Sequence, residues 1–245
     1  LTINASSHHK AIFISGNKEL SFDIAFPILH GTNGEDGRIQ GLFELLGIKY
    51  VGCDMSSSSI CMDKYASKLL VESHGVQIPK SLLIDSNHIL DDTLKTIKTM
   101  SLPLFIKPLK AGSSFGITKI NAYDEFEKAL EEAFYFDNKV IIEENIDGFE
   151  VGCAIIGNDE LLIGAVDEIE IADGFFNFEE KYSLKTSKIH LPARISVDEM
   201  QTIQDVALKI YKILGCKGCA RVDLFYTKDK QIVFNEVNTM PGFTS

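Results

Sequence analysis

Strand and helix signals alternate along this 245-residue chain, and that alternation predicts an α/β (α+β) fold. Composition agrees: 45% hydrophobic and 24% charged residues is an ordinary soluble globular balance. The length suggests one large domain or two to three small ones, with ample chain for a buried core. No internal repeat or low-complexity tract is visible.

Taken in order, residues 22–29 read as an apolar strand ending in His30-Gly31, followed by a polar, glycine-punctuated loop over 32–37. Residues 38–46 carry helix spacing through Ile39, Leu42, Phe43 and Leu46, with Gly47 as the stop. A short strand over 50–52 follows, and a first α/β unit is expected to end near the serines 56–59. A helix over about 63–74 is closed by Gly75. The strand 104–107, a loop to Gly116, a strand 117–120, an amphipathic helix 124–136 and a strand 140–143 form a second, smaller unit. Strands near 150–157 and 161–169 and a polar segment 173–188 come next. The clearest helix opens with the capping-box spacing Ser196/Glu199 and runs on the stripe Met200, Ile203, Val206, Ala207, Ile210 and Tyr211 to Gly215. Residues 221–226 and 231–237 read as a β-hairpin around the turn 227–230. The expected units are 1–60, 61–147 and 148–245.

Charge narrows the partners. Lys and Arg total 24 against 35 Asp and Glu, a formal net charge of -11. Such a surface has no counterions of nucleic acid or anionic lipid to replace, so neither partner is expected. A small anion held by a few placed cations remains open. No apolar run approaches the roughly 18–20 residues that cross a bilayer, and residues 1–10 lack a signal-peptide pattern, so a cytoplasmic location is expected. The first residue is Leu and the last stretch stops inside a motif, which reads as a fragment lacking both ends. Of the five cysteines, Cys216 and Cys219 alone have metal-like spacing, and nothing nearby in sequence completes a zinc set. Buried apolar thiols are the expectation.

The hairpin is the most informative element. Side chains alternate along a strand, so Arg221 and Asp223 share a face, as do Glu236 and Asn238. A turn over 227–230 puts Arg221 opposite Glu236, with Asp223 as its diagonal neighbour. Asp, Glu and Asn offer only oxygen, which suits Mg²⁺ or Mn²⁺. A plain Arg–Glu pair on a solvated face is the alternative.

Other features are weaker singly. Lys107 ends an apolar strand before a Gly- and Ser-rich segment containing Ser113 and Ser114, which suits either a phosphate-cradling lid or a hairpin tip. Glu143 and Glu144 end a buried strand, and Glu150 lies seven residues past Glu143. They could accept from a base or ribose, or be solvated strand-end charges. Lys64 lies in the first turn of its helix, the wrong end for a cation, unless Asp63 offsets it or an external phosphate takes it. Phe175, Phe176 and Phe178 beside Glu179-Glu180-Lys181-Tyr182 suit a loop that covers a ligand, or ordinary loop anchoring. His30 at a strand end suits a ligand crevice or a structural role.

Taken together and in this order, these pieces resemble the D-alanine–D-alanine ligase family of ATP-grasp enzymes. The match runs from His30 to Ser245 and is sharpest at His30-Gly31-x-x-Gly34-Glu35-Asp36-Gly37-x-Ile39-Gln40-Gly41, Arg221-Val222-Asp223 and Asn235-Glu236-Val237-Asn238-Thr239-Met240-Pro241-Gly242-Phe243-Thr244. The resemblance implies an ATP-grasp fold with an N-terminal α/β substrate domain, with ATP and Mg²⁺ or Mn²⁺ as cofactors. By position it implies Lys64, Lys107, Ser113, Ser114 and Lys181 at the ATP phosphates. Glu143, Glu144 and Ile146 would hold adenine, partly through backbone, and Glu150 the ribose. Phe176 and Asn235 join the nucleotide contacts. Asp223, Glu236 and Asn238 match the metal ligands. Arg221 and the Gly242 N–H match the oxyanion-binding pair, and His30 lines the substrate site. Ser113 and Tyr182 match a hydrogen-bond network near the amino acids. The family's N-terminal glycine-rich segment, with its glutamate, is expected beyond the fragment, as are the selective residues after Ser245.

The implied reaction activates a first D-alanine as an acyl phosphate and joins it to a second D-amino acid. The stretch 176–182 and Leu191-Pro192-Ala193 resemble the vancomycin-resistance D-alanine–D-serine ligases, with D-alanine as the alternative second substrate. A homodimer is expected on family grounds. The competing class, a nucleotide-binding module without ligase activity, need not retain the Arg221/Asp223/Glu236/Asn238 set.

Overall fold

The computed structural model describes residues 2–5, 11–15, 18–87, 90–112, 115–171 and 187–242. Ser113, Ser114, Phe176, Lys181 and Tyr182 lie outside the described residues, as does most of the polar segment 173–188. The described part holds three sheets, and every pairing between their strands is antiparallel. The first is the meander β1 (Thr2–Ala5), β2 (Ala11–Ser15) and β3 (Lys18–Phe22).

The strand expected over 22–29 does not form. β3 ends at Phe22, and beyond it Ala25 alone makes a bridge, parallel to Tyr50. The bridge is two backbone bonds, Ala25 N–H to Lys49 O and Val51 N–H to Ala25 O, and the strand expected over 50–52 reduces to it as well. Pro27 has no N–H to give to a ladder. Phe26, Ile28 and Leu29 are about half exposed, so this apolar run has no face buried as a strand's would be.

Helix α1 (Arg38–Leu45) matches expectation and packs through Phe43, with Gly47 in the left-handed region (φ 64°) after its last turn. The serines 56–59, expected to close a unit, lie inside helix α2 (Met55–Met62). No hydrophobic period announces it. Asp54 caps it instead, accepting the Ser57 N–H at 2.9 Å. Helix α3 (Lys64–Glu72) follows immediately, capped by Asp63.

The second sheet has the order β4-β7-β5-β6, built from β4 (Ser81–Asp85), β5 (Leu104–Pro108), β6 (Thr118–Ile120) and β7 (Lys139–Glu144). Helices α4 (Leu90–Ile97) and α5 (Phe126–Phe134) supply Ile97, Phe126, Leu130 and Ala133 to its core. β4 and α4 were absent from the sequence reading. The third sheet, β10-β9-β8-β11-β12, uses β8 (Gly148–Gly157), β9 (Leu161–Ile171), β10 (Ser187–His190), β11 (Gly218–Thr227) and β12 (Ile232–Asn238). Helix α6 (Val197–Ile213) packs Ile203, Ala207 and Ile210 into the core it shares with Val151, Val222 and Leu224. That core also takes Cys61 and Val71, so α2 and α3 sit on the third sheet. All five cysteines are buried free thiols. Among the described residues, no helix is long and apolar enough to cross a membrane.

Candidate active site

The β11–β12 hairpin pairs differently from the expected register, and the difference matters. The turn closes at Thr227 and Gln231, one residue later than expected, and pairs Tyr226 with Ile232. A bulge then shifts the ladder between Asp223 and Leu224, leaving Asn235 as the extra residue. The two slips add. Asp223 therefore stands directly opposite Glu236, and Arg221 opposite Asn238. The Arg221–Glu236 cross-strand pair is replaced by a bidentate Arg221–Asp223 pair, with Nε and Nη2 donating at 2.6 and 2.8 Å. Asn238 Nδ2 donates to the same carboxylate at 2.7 Å.

Asp223 is almost wholly buried, so these charge-assisted bonds keep an ionised group inside the sheet. The Asp223 charge pushes the Arg221 guanidinium above its usual value, against burial. Asp167, on β9 two strands away across β8, is raised, first by burial and then by the Asp223 charge.

Between the second and third sheets lies a cavity of about 470 Å³. Its walls include Lys107, Glu143 and Glu144 from the second sheet, Glu150, Asn235 and Glu236 from the third, Lys64 from α3, and Ile146 from the link between β7 and β8. Sequence reasoning had singled out all eight. The strand-end carboxylates are not simply solvated. Glu143 is buried and meets Lys107 Nζ at 2.6 Å through Oε2 and Lys68 Nζ at 2.9 Å through Oε1. Burial pushes its pKa up, but the two lysines outweigh that and hold it at about 2. Glu144 accepts the Ser101 N–H at 2.8 Å and pairs with Lys80 at 3.3 Å. Asn235 Nδ2 lies 3.5 Å from Glu150 Oε1.

Lys64 is buried too. Its Nζ donates to the Ala111 carbonyl at 3.0 Å and lies 3.6 Å from Glu236 Oε2. Asp63 does not offset it, because that carboxylate caps α3 and pairs with Lys110 at 3.1 Å. Lys64 and Glu236 also line a smaller pocket of about 40 Å³ with Glu35, Gly112 and Asn238, and so stand at the junction of the two spaces.

His30 is held at the far side of that junction. Its Nδ1 lies 3.1 Å from the Met240 carbonyl, two residues before the exposed Gly242. Glu35 completes the tie by accepting the Gly31 N–H at 2.7 Å and the Met240 N–H at 3.2 Å. Burial raises Glu35 despite these bonds. Gly112, at the root of the Ser-rich segment, packs so tightly that a Cβ would lie 2.8 Å from Gly31 Cα.

Three groups escaped the sequence reading. Lys68 sits one helical turn beyond Lys64 on the buried face of α3, and that i, i+4 spacing was the available signal. Glu35 stands inside the His30–Gly41 motif that carries the resemblance, which was its available signal. Arg194 forks onto Glu168 at the cavity wall through a contact far apart in sequence.

Comparison with known proteins identifies the family. The family model described as "D-ala D-ala ligase C-terminus" matches residues 70–245, and that described as "D-ala D-ala ligase N-terminus" matches residues 3–53. The vancomycin B-type resistance protein VanB of Enterococcus faecalis is 47% identical over 91% of this chain and 65% of its own length. A D-alanine–D-alanine ligase of Caldicellulosiruptor bescii is 43% identical over 92% of this chain and 64% of its own. The crystal structure of the VanG D-Ala:D-Ser ligase from Enterococcus faecalis superposes with a TM-score of 0.85 at 51% identity, covering 96% of this chain and 72% of that one. The chain thus spans about 65% of the length of the curated relatives it matches first. With both family models matched in order along one chain, it belongs to the D-alanine–D-alanine ligase family.

Proposed function

We propose that this protein is an ATP-dependent ligase joining D-alanine to a second D-amino acid, D-serine in preference to D-alanine. The observation that carries the reading is the meeting of two constellations at Lys64 and Glu236: a lysine-walled cavity sized for a nucleotide, and the Arg221–Asp223–Asn238 cluster opposite Glu236. In this reading ATP lies in the cavity with its phosphates toward Lys64 and Lys107, joined by Ser113, Ser114 and Lys181. Adenine rests near Glu143, Glu144, Ile146 and Phe176, and ribose near Glu150, with Asn235 alongside. In this reading 1–60 serves the substrate and 61–147 with 148–245 surround the nucleotide; one hydrophobic cluster of the described residues lies within 61–147, whereas another joins Cys53, Cys61, Val71 and Val76 to the core of 148–245.

The donor set fits a hard divalent cation. Asp223 and Glu236 supply carboxylate oxygens, and Asn238 presents its amide carbonyl if the side chain turns by half a rotation. Mg²⁺ or Mn²⁺ held there would neutralise charge on the phosphates.

Chemistry then follows in two steps. The D-alanine carboxylate takes the γ-phosphoryl group, giving an acyl phosphate and ADP, while the lysines offset charge on the transferring group. The second amine attacks the acyl carbon, Arg221 and the Gly242 N–H hold the oxyanion, and phosphate leaves. His30, Ser113 and Tyr182 orient the amino acids. The preference for D-serine is supported by the 51% identity to a D-Ala:D-Ser ligase, against 43% for the D-alanine–D-alanine ligase above. A homodimer accompanies the family reading. The test is phosphate release by the full-length protein with D-alanine alone and with D-serine or D-lactate, with products weighed by mass spectrometry. Absence of D-alanine-dependent phosphate release would overturn it.

A further inference from the structure

Among the described residues, Lys68 is the one fully buried lysine to which the ligase reading gives no task. Its side chain is 1% exposed, and its Nζ reaches the Asn235 carbonyl at 2.6 Å and Glu143 Oε1 at 2.9 Å. The aromatic ring of Phe234 lies 5.7 Å away. Glu143's other oxygen is 2.6 Å from Lys107 Nζ. One chain of contacts therefore runs from the β12 bulge through α3 to β7 and on to the cavity wall at Lys107.

The charge count of this chain is unusual. Two ammonium groups share the buried Glu143 carboxylate, and Glu236, the next acid to act on Lys68, also pairs with Lys64, so three lysines meet two carboxylates in this cluster. A purely structural tie needs no such excess. A Lys107–Glu143 pair alone would be neutral, and an apolar side chain at 68 would avoid the desolvation of a second ammonium. Lys68 changes what Glu143 can do: with one oxygen occupied by Lys68, Glu143 orients Lys107 without cancelling its charge. Asn235 is the bulge residue that sets the Asp223–Glu236 register, so the same ammonium also fixes the hairpin against Lys107.

We propose that Lys68 is a positioning residue of the phosphate-binding site, dividing Glu143 so that Lys107 stays oriented and positively charged toward a nucleotide phosphate. This rests on the reading of the cavity as a nucleotide site.

Calorimetric titration of the protein with ATP in the presence of Mg²⁺, and separately with adenosine, tests it. Lys68→Met should weaken ATP binding about tenfold, the scale of one partly screened charge, and leave adenosine unchanged. Lys68→Gln retains a donor for Asn235 and Glu143 while removing the charge, so it should show the same split even if the methionine variant fails to fold. Equal weakening of ATP and adenosine, or unchanged ATP affinity, would each overturn the proposal. A wild-type protein that binds no ATP would overturn the nucleotide reading and this proposal with it.

Discussion

Asp223 and Glu236 face each other across the hairpin, yet they differ in what else depends on them. Glu236 is about a quarter exposed and lies 3.6 Å from Lys64, whereas Asp223 is buried and holds both Arg221 and Asn238. Glu236→Gln should therefore lower D-alanine-dependent phosphate release by at least about a hundredfold with the melting temperature nearly unchanged. Asp223→Asn should lose turnover equally but also melt several degrees lower, since its carboxylate anchors a largely buried guanidinium. Parallel turnover and melting measurements separate the two, and full turnover in either variant would remove the metal assignment. Glu143 sets a different pH response. Its pKa is held at about 2 against an ordinary 4.5, so its ionised form stabilises the fold above about pH 4.5, and that contribution fades as pH falls toward 2. Urea unfolding between pH 5 and 2 should show a steep loss of stability that is shallower in Glu143→Gln. Residue identity was legible in part: eight of the positions expected at the nucleotide line one cavity, while Ser113, Ser114, Phe176 and Lys181 lie outside the described residues. Their partners were not, because Lys68–Glu143 and Glu35–Met240 join residues far apart in the chain, and sequence spacing carries no information about such meetings.

Elements announced by two agreeing signals were read correctly. Helix α6 has both a stripe and a cap: Ser196 Oγ accepts the Glu199 N–H at 3.3 Å while Glu199 returns to the Ser196 N–H at 2.9 Å. Helix α2 has the cap alone, and the sequence suggests the end of a unit where the helix runs. The run 22–29 has apolar residues alone and passed for a strand, because hydrophobicity without a partner strand or a buried face does not make one. The hairpin register failed for a subtler reason. A bulge adds one residue without altering the apolar pattern, so period-2 reading placed side chains on the correct faces and opposite the wrong partners. The α6 cap yields an element-scale prediction. α6 packs against Val222 and Leu224, whereas Phe225, which has the opposite orientation on the same strand, lines the cavity. Ser196→Ala should thus cost about 1 kcal/mol of stability, seen as a melting temperature about 2–4 °C lower, with ATP affinity unchanged. A loss of ATP affinity would mean that the sheet transmits strain from its helical face to the cavity.

For the molecule as a whole, the central tension is that a chain of net charge -11 is read as binding a polyanion. The three lysines around the cavity resolve it by location. Lys64, Lys68 and Lys107 are each under a tenth exposed and lie within the fold, while the acidic excess is spread over the surface. Mobile ions screen these two fields unequally. Over a Debye length of about 8–10 Å at ordinary ionic strength, repulsion from distant surface carboxylates is largely damped, whereas contacts with buried ammonium groups are damped much less. The two effects also oppose each other, since salt weakens the attraction slightly and the repulsion more. The affinity for ADP, measured at fixed free Mg²⁺, should then change by less than about threefold between 50 and 300 mM NaCl. A site built from exposed lysines would instead lose affinity steadily with salt, as surface ion pairs do. A steep fall in ADP affinity over that range would place the phosphate contacts at the surface and count against the buried cluster as the nucleotide's anchor.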